Sequence, residues 1–337
     1  MMNYELFSIF AHNMENNIVK KPRLEWLDAL RGFTMILVVA NHVAGMGFGE
    51  TWKGSSCMPF LVLFRMPLFF FLAMAILKPH FWPAVEEALQ LPTKGGYWFT
   101  IVLLYMFVVY YLFAYLESKL KWKSWVPITL LFIISLCVYE TCYLPRYFDW
   151  AAGHRGTKSD LYFFLRESSL IQLMLYFPFF LFGNIVHRYW DSAQKVMDSK
   201  WFFPILIVVI VMATLDALKW HTLRMAWANL PQTIAKFGLL TITFMYFRYY
   251  KEFFTKFSII GSSLQYIGRR TLDIYLIHFL FMPDVPQIGE YFKAHSSNFV
   301  IDLMLSMMMA LIIIGFCIIT SNILRISPFL KKWLFGR

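Results

Sequence analysis

The sequence predicts an all-α fold, a polytopic transmembrane helical bundle of about nine apparent spans. Three observations predict it. Of 337 residues, 59% are hydrophobic, 20% aromatic and 15% charged, whereas soluble domains average about 45–50% apolar and about 25% charged. The mean hydropathy is +0.56. The apolar residues fall in blocks roughly 20 long, the length that crosses a bilayer. This composition excludes a disordered chain, a small disulfide scaffold and a nucleic-acid-binding domain. The expected surroundings are a lipid bilayer, with no nucleic acid.

The blocks run over 29–48, 58–77, 97–116, 125–144, 162–186, 202–218, 231–249, 264–283 and 299–325. Polar, Gly or Pro residues bound each one, and none alternates like a barrel strand. Backbone groups in lipid must be satisfied within the segment, so each block is expected to be helical. No long linker or clear repeat divides the chain. The expected organisation is a polar lead-in over 1–25, one transmembrane domain over 26–326 and a basic tail over 327–337.

The net charge of +11 fits the enrichment of Lys and Arg in cytoplasmic loops. Lys20, Lys21, Arg23, Lys119, Lys121, Lys123, Arg188, Lys195, Lys200, Arg248, Lys251, Lys256, Lys331, Lys332 and Arg337 all ask for that side, both termini included. Nine spans cannot put both ends on one side. The mismatch falls on 78–96, where Pro79, Pro83, Pro92, Glu86 and Glu87 make a poor span. The first 25 residues lack a signal peptide's pattern. Cys57, Cys137, Cys142 and Cys317 show no metal-ligand spacing, and no metal is expected.

Ionisable groups inside spans are costly and therefore candidate functional residues. The first block, LEWLDALRGFTMILVVANH, is the richest. Asp28 and Arg31 are three apart and share a helix face. Arg31 and His42 are eleven apart, which sets them on one stripe about 16 Å apart along the axis. Arg31 reads either as an interfacial anchor or as a group that binds phosphate or polarises a carbonyl. His42 reads either as a packing histidine or as a general base on a hydroxyl. Arg65 interrupts a strongly apolar stretch, and His278 lies on the eighth block. Trp220 and His221 sit in a loop expected outside. They suit a sugar acceptor or an interfacial aromatic belt.

LDALRGFTMILVVANH, FRMPLFFFLAMAI, GGYWFTIVLLY, YFPFFLFGNIV and LQYIGRRTLDIYLIH, in this order, resemble the membrane acyltransferase 3 family over most of 24–280. The sugar O-acetylases, including fucose 4-O-acetylase-like proteins, are the nearest subgroup. The resemblance implies an integral O-acyltransferase of the bacterial inner membrane. It would take acetyl from cytoplasmic acetyl-CoA and pass it to a hydroxyl of an envelope carbohydrate or lipid-linked sugar. Arg31 and His42 match the family's catalytic pair and Asp28 its acidic residue. Arg31, Arg65, Arg269 and Arg270 are then candidates for acetyl-CoA binding, and His278, Trp220 and His221 for the acceptor. The family usually has ten spans and a basic segment after the second. Here 78–96 holds only Lys78 and Lys94, so one span is expected to be missing or irregular. A succinyl or other acyl donor, a transporter or flippase for lipid-linked sugar, and a degenerate member with a structural role remain as alternatives.

Overall fold

The computed structural model describes residues 24–50, 57–74, 98–119, 125–142, 168–220, 230–295 and 298–329. Among these the regular structure is helical throughout. The helices are α1 (Glu25–His42), α2 (Met58–Met74), α3 (Trp98–Lys119), α4 (Trp125–Thr141), α5 (Leu170–Arg188), α6 (Trp190–Met197), α7 (Phe202–Trp220), α8 (Leu230–Tyr249), α9 (Ile259–Arg269), α10 (Thr271–Ile277), α11 (Pro286–Ala294) and α12 (Phe299–Leu324). A π-turn, Val43–Gly47, extends α1, and a 3₁₀ turn, His278–Phe281, extends α10.

Every apolar block carries a helix, and the count of about nine spans is not confirmed. Among the described residues, four helical stretches are long and apolar enough to cross: Glu25–Gly47, Ile101–Lys119, Leu170–Arg188 and Phe299–Leu324. The count becomes five if the α6–α7 pair, bent by 82°, is one span. The 264–283 block is not a single helix. It begins earlier, at Ile259, and breaks at Arg270. Most of the lead-in and tail, and the whole of 78–96, lie outside the described residues.

α1 is the central element. Of its apolar stretch 72% is buried, against 22% for α3 and 28% for α12, which leave most of their apolar surface exposed. Its closest neighbour is α9. Gly32 on α1 faces the backbone of Leu264 and Gly268, and Gly268 faces the backbone of Asp28 and Gly32. A Cβ at either position would collide with the partner's carbonyl oxygen. Two backbones thus touch where neither helix has a side chain, a device common between membrane helices. α2, α8 and α12 complete the wall around α1.

Side-chain contacts fix the directions of the helices. Trp26 near the start of α1 packs on Phe244 late in α8, and Phe71 late in α2 packs on the same ring. Cys57, just before α2, donates its N–H to Asp302 early in α12 at 2.9 Å. At the other end of α12, Arg325 meets Asp273 on α10 at 2.7 Å. Glu117, late in α3, takes two bonds from Arg188, the last residue of α5. α2 and α3 therefore run in the same direction, and it is between them that the charge counting fails to join. One end of the bundle gathers Arg31, Arg188, Arg248, Lys256, Arg269, Arg270 and Arg325. There Arg248 grips Asp198, beyond α6, at 2.7 and 2.8 Å. This holds the Asp198 carboxyl below its ordinary range. His42, Glu50 and Asp302 lie toward the opposite end.

Overpacking a tight contact costs about 1–3 kcal/mol. Gly268→Ala is accordingly expected to lower the melting temperature in detergent, while Ala at the exposed Ile326 leaves it unchanged.

Candidate active site

α1 presents polar groups at both ends of one buried helix. At the first end, Asp28 is 4% exposed, and a buried carboxylate needs charged or hydrogen-bonding partners. Arg31 Nη1 lies 3.3 Å from its Oδ1, as the three-residue spacing predicts. Arg269, at the end of α9, brings Nε to 3.5 Å from Oδ2. Arg269 is in turn steadied by Gln265, whose Oε1 accepts from Nη2 at 2.7 Å. The buried Gln265 amide donates to the Phe254 carbonyl at 2.8 Å. One carboxylate thus sets two guanidinium groups side by side, with Arg269 the more open at 45%. Such a pair suits phosphate groups.

Arg270 is adjacent in sequence but serves elsewhere. Its Nη1 donates to Ser321 Oγ at 3.1 Å and lies 3.6 Å from Asp273 Oδ2. Ser321 Oγ and Arg325 Nη2 also bond that oxygen, at 2.6 and 2.7 Å. This brace joins the α9–α10 break to α12. It separates Arg270 from the Arg31–Arg269 pair with which the sequence groups it.

At the second end, α1 gives way to the π-turn directly after His42. Gly49, at φ +67°, takes the left-handed conformation that ends the turn. Val285 N–H donates to the Gly47 carbonyl at 2.8 Å, which ties this turn to the chain after the 3₁₀ segment. That tie helps set His278 against His42. Nδ1 of His42 lies 2.8 Å from Nε2 of His278, and the ring planes are within 10° of parallel. Nδ1 of His278 faces two backbone carbonyls, Ile274 at 3.0 Å and Tyr275 at 2.9 Å.

These contacts assign the protons. Carbonyls only accept, so His278 Nδ1 carries hydrogen. With both rings neutral, His278 Nε2 is then an acceptor and His42 Nδ1 the donor. His42 Nε2 is left with a lone pair. His278 is fully buried and His42 only partly so. Such an arrangement can serve as an orienting group behind a base.

Arg65 joins this end. With the Asn41 amide turned so that its oxygen faces Arg65, that oxygen accepts from Nη1 at 3.0 Å and Nη2 at 3.1 Å. Arg65 also acts electrostatically on His42 and Tyr176. Asn41 was missed in the sequence, although a polar pair, Asn41–His42, closing an apolar run was a visible signal.

A further polar group lies near the same end. Glu50, Cys57 and Asp302 are buried and bring one ligand atom each within 4.8 Å of one another, a grouping able to hold a cation. No spacing in the sequence announces it. Asp302 also caps the start of α2 through the Cys57 N–H, an N-terminal position that favours a carboxylate. His221 and the side chain of Trp220 lie outside the described residues.

The family model described as an acyltransferase domain matches residues 73–326, about three quarters of the chain. The chain belongs to the acyltransferase 3 family. It is a multi-pass membrane acyltransferase, a transferase of acyl groups other than aminoacyl groups. No curated protein and no solved structure matches it. The family match starts near the end of α2, so Asp28, Arg31, Asn41, His42 and Arg65 precede it. In this acyltransferase His278, Arg269 and Arg270 lie within the matched region, and folding brings the first two onto α1.

Removing one partner of a buried charge cluster costs about 3–5 kcal/mol. Asp273→Asn is therefore expected to lower the melting temperature well beyond Asp198→Asn, whose carboxylate is exposed.

Proposed function

We propose that this acyltransferase moves an acetyl group from acetyl-CoA to a hydroxyl of an envelope carbohydrate or lipid-linked sugar. The observation that carries the reading is the His42–His278 pair, which leaves His42 Nε2 free to take a proton. The sugar hydroxyl gives its proton to His42 Nε2 as its oxygen bonds to the thioester carbonyl carbon. The tetrahedral intermediate collapses, the C–S bond breaks, and the sulfur leaves with the proton from His42. The acetyl ester and free CoA are the products.

Arg31 and Arg269 supply the other requirement, cationic groups for the CoA phosphates. They sit about 16 Å along α1 from His42, a separation that a pantetheine arm bridges. Asp28 orients both. His278 acts as a positioning group in this reading and not as an acceptor contact, because both of its ring nitrogens are engaged. Trp220 and His221 remain the proposed acceptor contacts. The proposed setting is the bacterial inner membrane, with both termini and the arginine-rich end cytoplasmic, as the Lys and Arg distribution supports.

The test uses purified protein in liposomes, acetyl-CoA labelled in the acetyl group, and an envelope glycan acceptor. Alkali-labile label in carbohydrate is expected with wild type. General-base help is worth roughly 10²–10⁴-fold, so His42→Ala is expected to lose at least that much. Movement of lipid-linked sugar without any CoA donor would instead make the protein a transporter.

A further inference from the structure

Arg65 carries an unexplained charge. It lies within α2, in a strongly apolar stretch. Its Nε is buried and has no hydrogen-bond partner among the described residues. No carboxylate pairs with it among the described residues either, and the side chains set against it, Asn41, His42 and Tyr176, are neutral. A buried donor without an acceptor costs about 1–3 kcal/mol, and more when charged. A buried charge without a counter-ion is costlier still. Such a group persists where an anion is supplied at work.

Its place along α1 says which anion. Asn41 is ten residues beyond Arg31, about 15 Å along the helix. Arg65 therefore belongs to the end where the base sits, not to the end where two guanidinium groups gather. The Asn41 oxygen takes the terminal fork of the guanidinium. It holds the group in place and leaves the Nε edge for another acceptor.

We infer that Arg65 is a catalytic residue that donates Nε–H to the thioester carbonyl oxygen and stabilises the oxyanion formed when the acceptor attacks. Asn41 is its positioning residue. This rests on the acyl-transfer reading and adds the electrophilic half. As the acceptor oxygen bonds to the carbonyl carbon, its proton goes to His42 Nε2 and the carbonyl electron pair moves to oxygen. Arg65 meets that charge. When the C=O bond re-forms, the C–S bond breaks and the thiolate takes the proton from His42. An acetyl-CoA phosphate contact for Arg65, the sequence expectation, gives way to a carbonyl contact.

Loss of one oxyanion donor typically costs about 10²–10³-fold in kcat. Arg65→Lys keeps the charge and removes the planar Nε donor. Its kcat is expected to fall by about that factor, with KM for acetyl-CoA and the melting temperature near wild type. A raised KM with unchanged kcat would overturn the inference and return Arg65 to phosphate binding. Unchanged kcat and KM would also overturn it. The second measurement uses His42→Ala, which holds the thioester intact, and acetyl-CoA labelled with ¹³C at the carbonyl. The bound carbonyl stretch is expected to shift to lower wavenumber and to return toward the free value when Arg65→Lys is added. An unshifted band with acetyl-CoA bound overturns the role of Arg65 alone. Absence of acetyl-CoA binding to wild type and to His42→Ala overturns the acetyl-transfer reading instead. Should His42→Ala fail to fold, the Arg65→Lys kinetics decide.

Discussion

The backbone contact between α1 and α9 is the constraint on which the rest depends. Gly32 and Gly268 let the two helices touch along their carbonyl oxygens. That approach brings Arg269 against Asp28, and it seats α10 where His278 reaches His42. A wider separation would break both polar ends of α1 at once. Such breakage is costly, because it would leave the buried Asp28 carboxylate and the buried His278 without those partners. The structure therefore couples packing to the candidate site: the same contact that buries α1 brings the groups of the proposed chemistry together.

The two ends differ in what they leave unsatisfied. Around Asp273 each charge has a partner, and Arg270, Arg325 and Ser321 close the set. Around His42 the accounting is open by design. One imidazole nitrogen keeps a lone pair, and one buried guanidinium edge has no acceptor among the described residues. Closed clusters of this kind stabilise a fold, whereas open ones stand ready for a substrate. The α6–α7 bend and the Asp198–Arg248 pair belong to the first type and serve the shape of the arginine-rich end.

Much of this was legible in the sequence because it is local. Apolar stretches of about 20 residues become helices wherever lipid leaves the backbone no other partner. The Asp28–Arg31 pair follows from a three-residue spacing, and the stripe joining Arg31 to His42 follows from helical periodicity. What was not legible depends on contacts distant in sequence. His42 and His278 are 236 residues apart, and Asp302 meets Cys57 across 245. Arg269 and Arg270 look equivalent in the sequence, yet the helix break between α9 and α10 sends one to Asp28 and the other to Asp273. The 264–283 block reads as one span because it is mostly apolar over about 20 residues, although Arg269, Arg270 and Asp273 interrupt it. The pairing of Arg270 and Asp273 with α12 is what marks the break. Asn41 escaped because a neutral amide in an apolar run looks harmless until an arginine is found beside it.

The proton assignment on His42 tests the account most directly. Solid-state ¹⁵N spectra of histidine-labelled protein in lipid resolve Nδ1–H from Nε2–H tautomers. The eight histidines are sorted by comparison with His42→Gln and His278→Gln. The account predicts that His42 and His278 both carry hydrogen on Nδ1, with Nε2 of His42 bare. A His42 signal with hydrogen on Nε2 and none on Nδ1 would contradict it, because the nitrogen assigned to the base would already hold its proton.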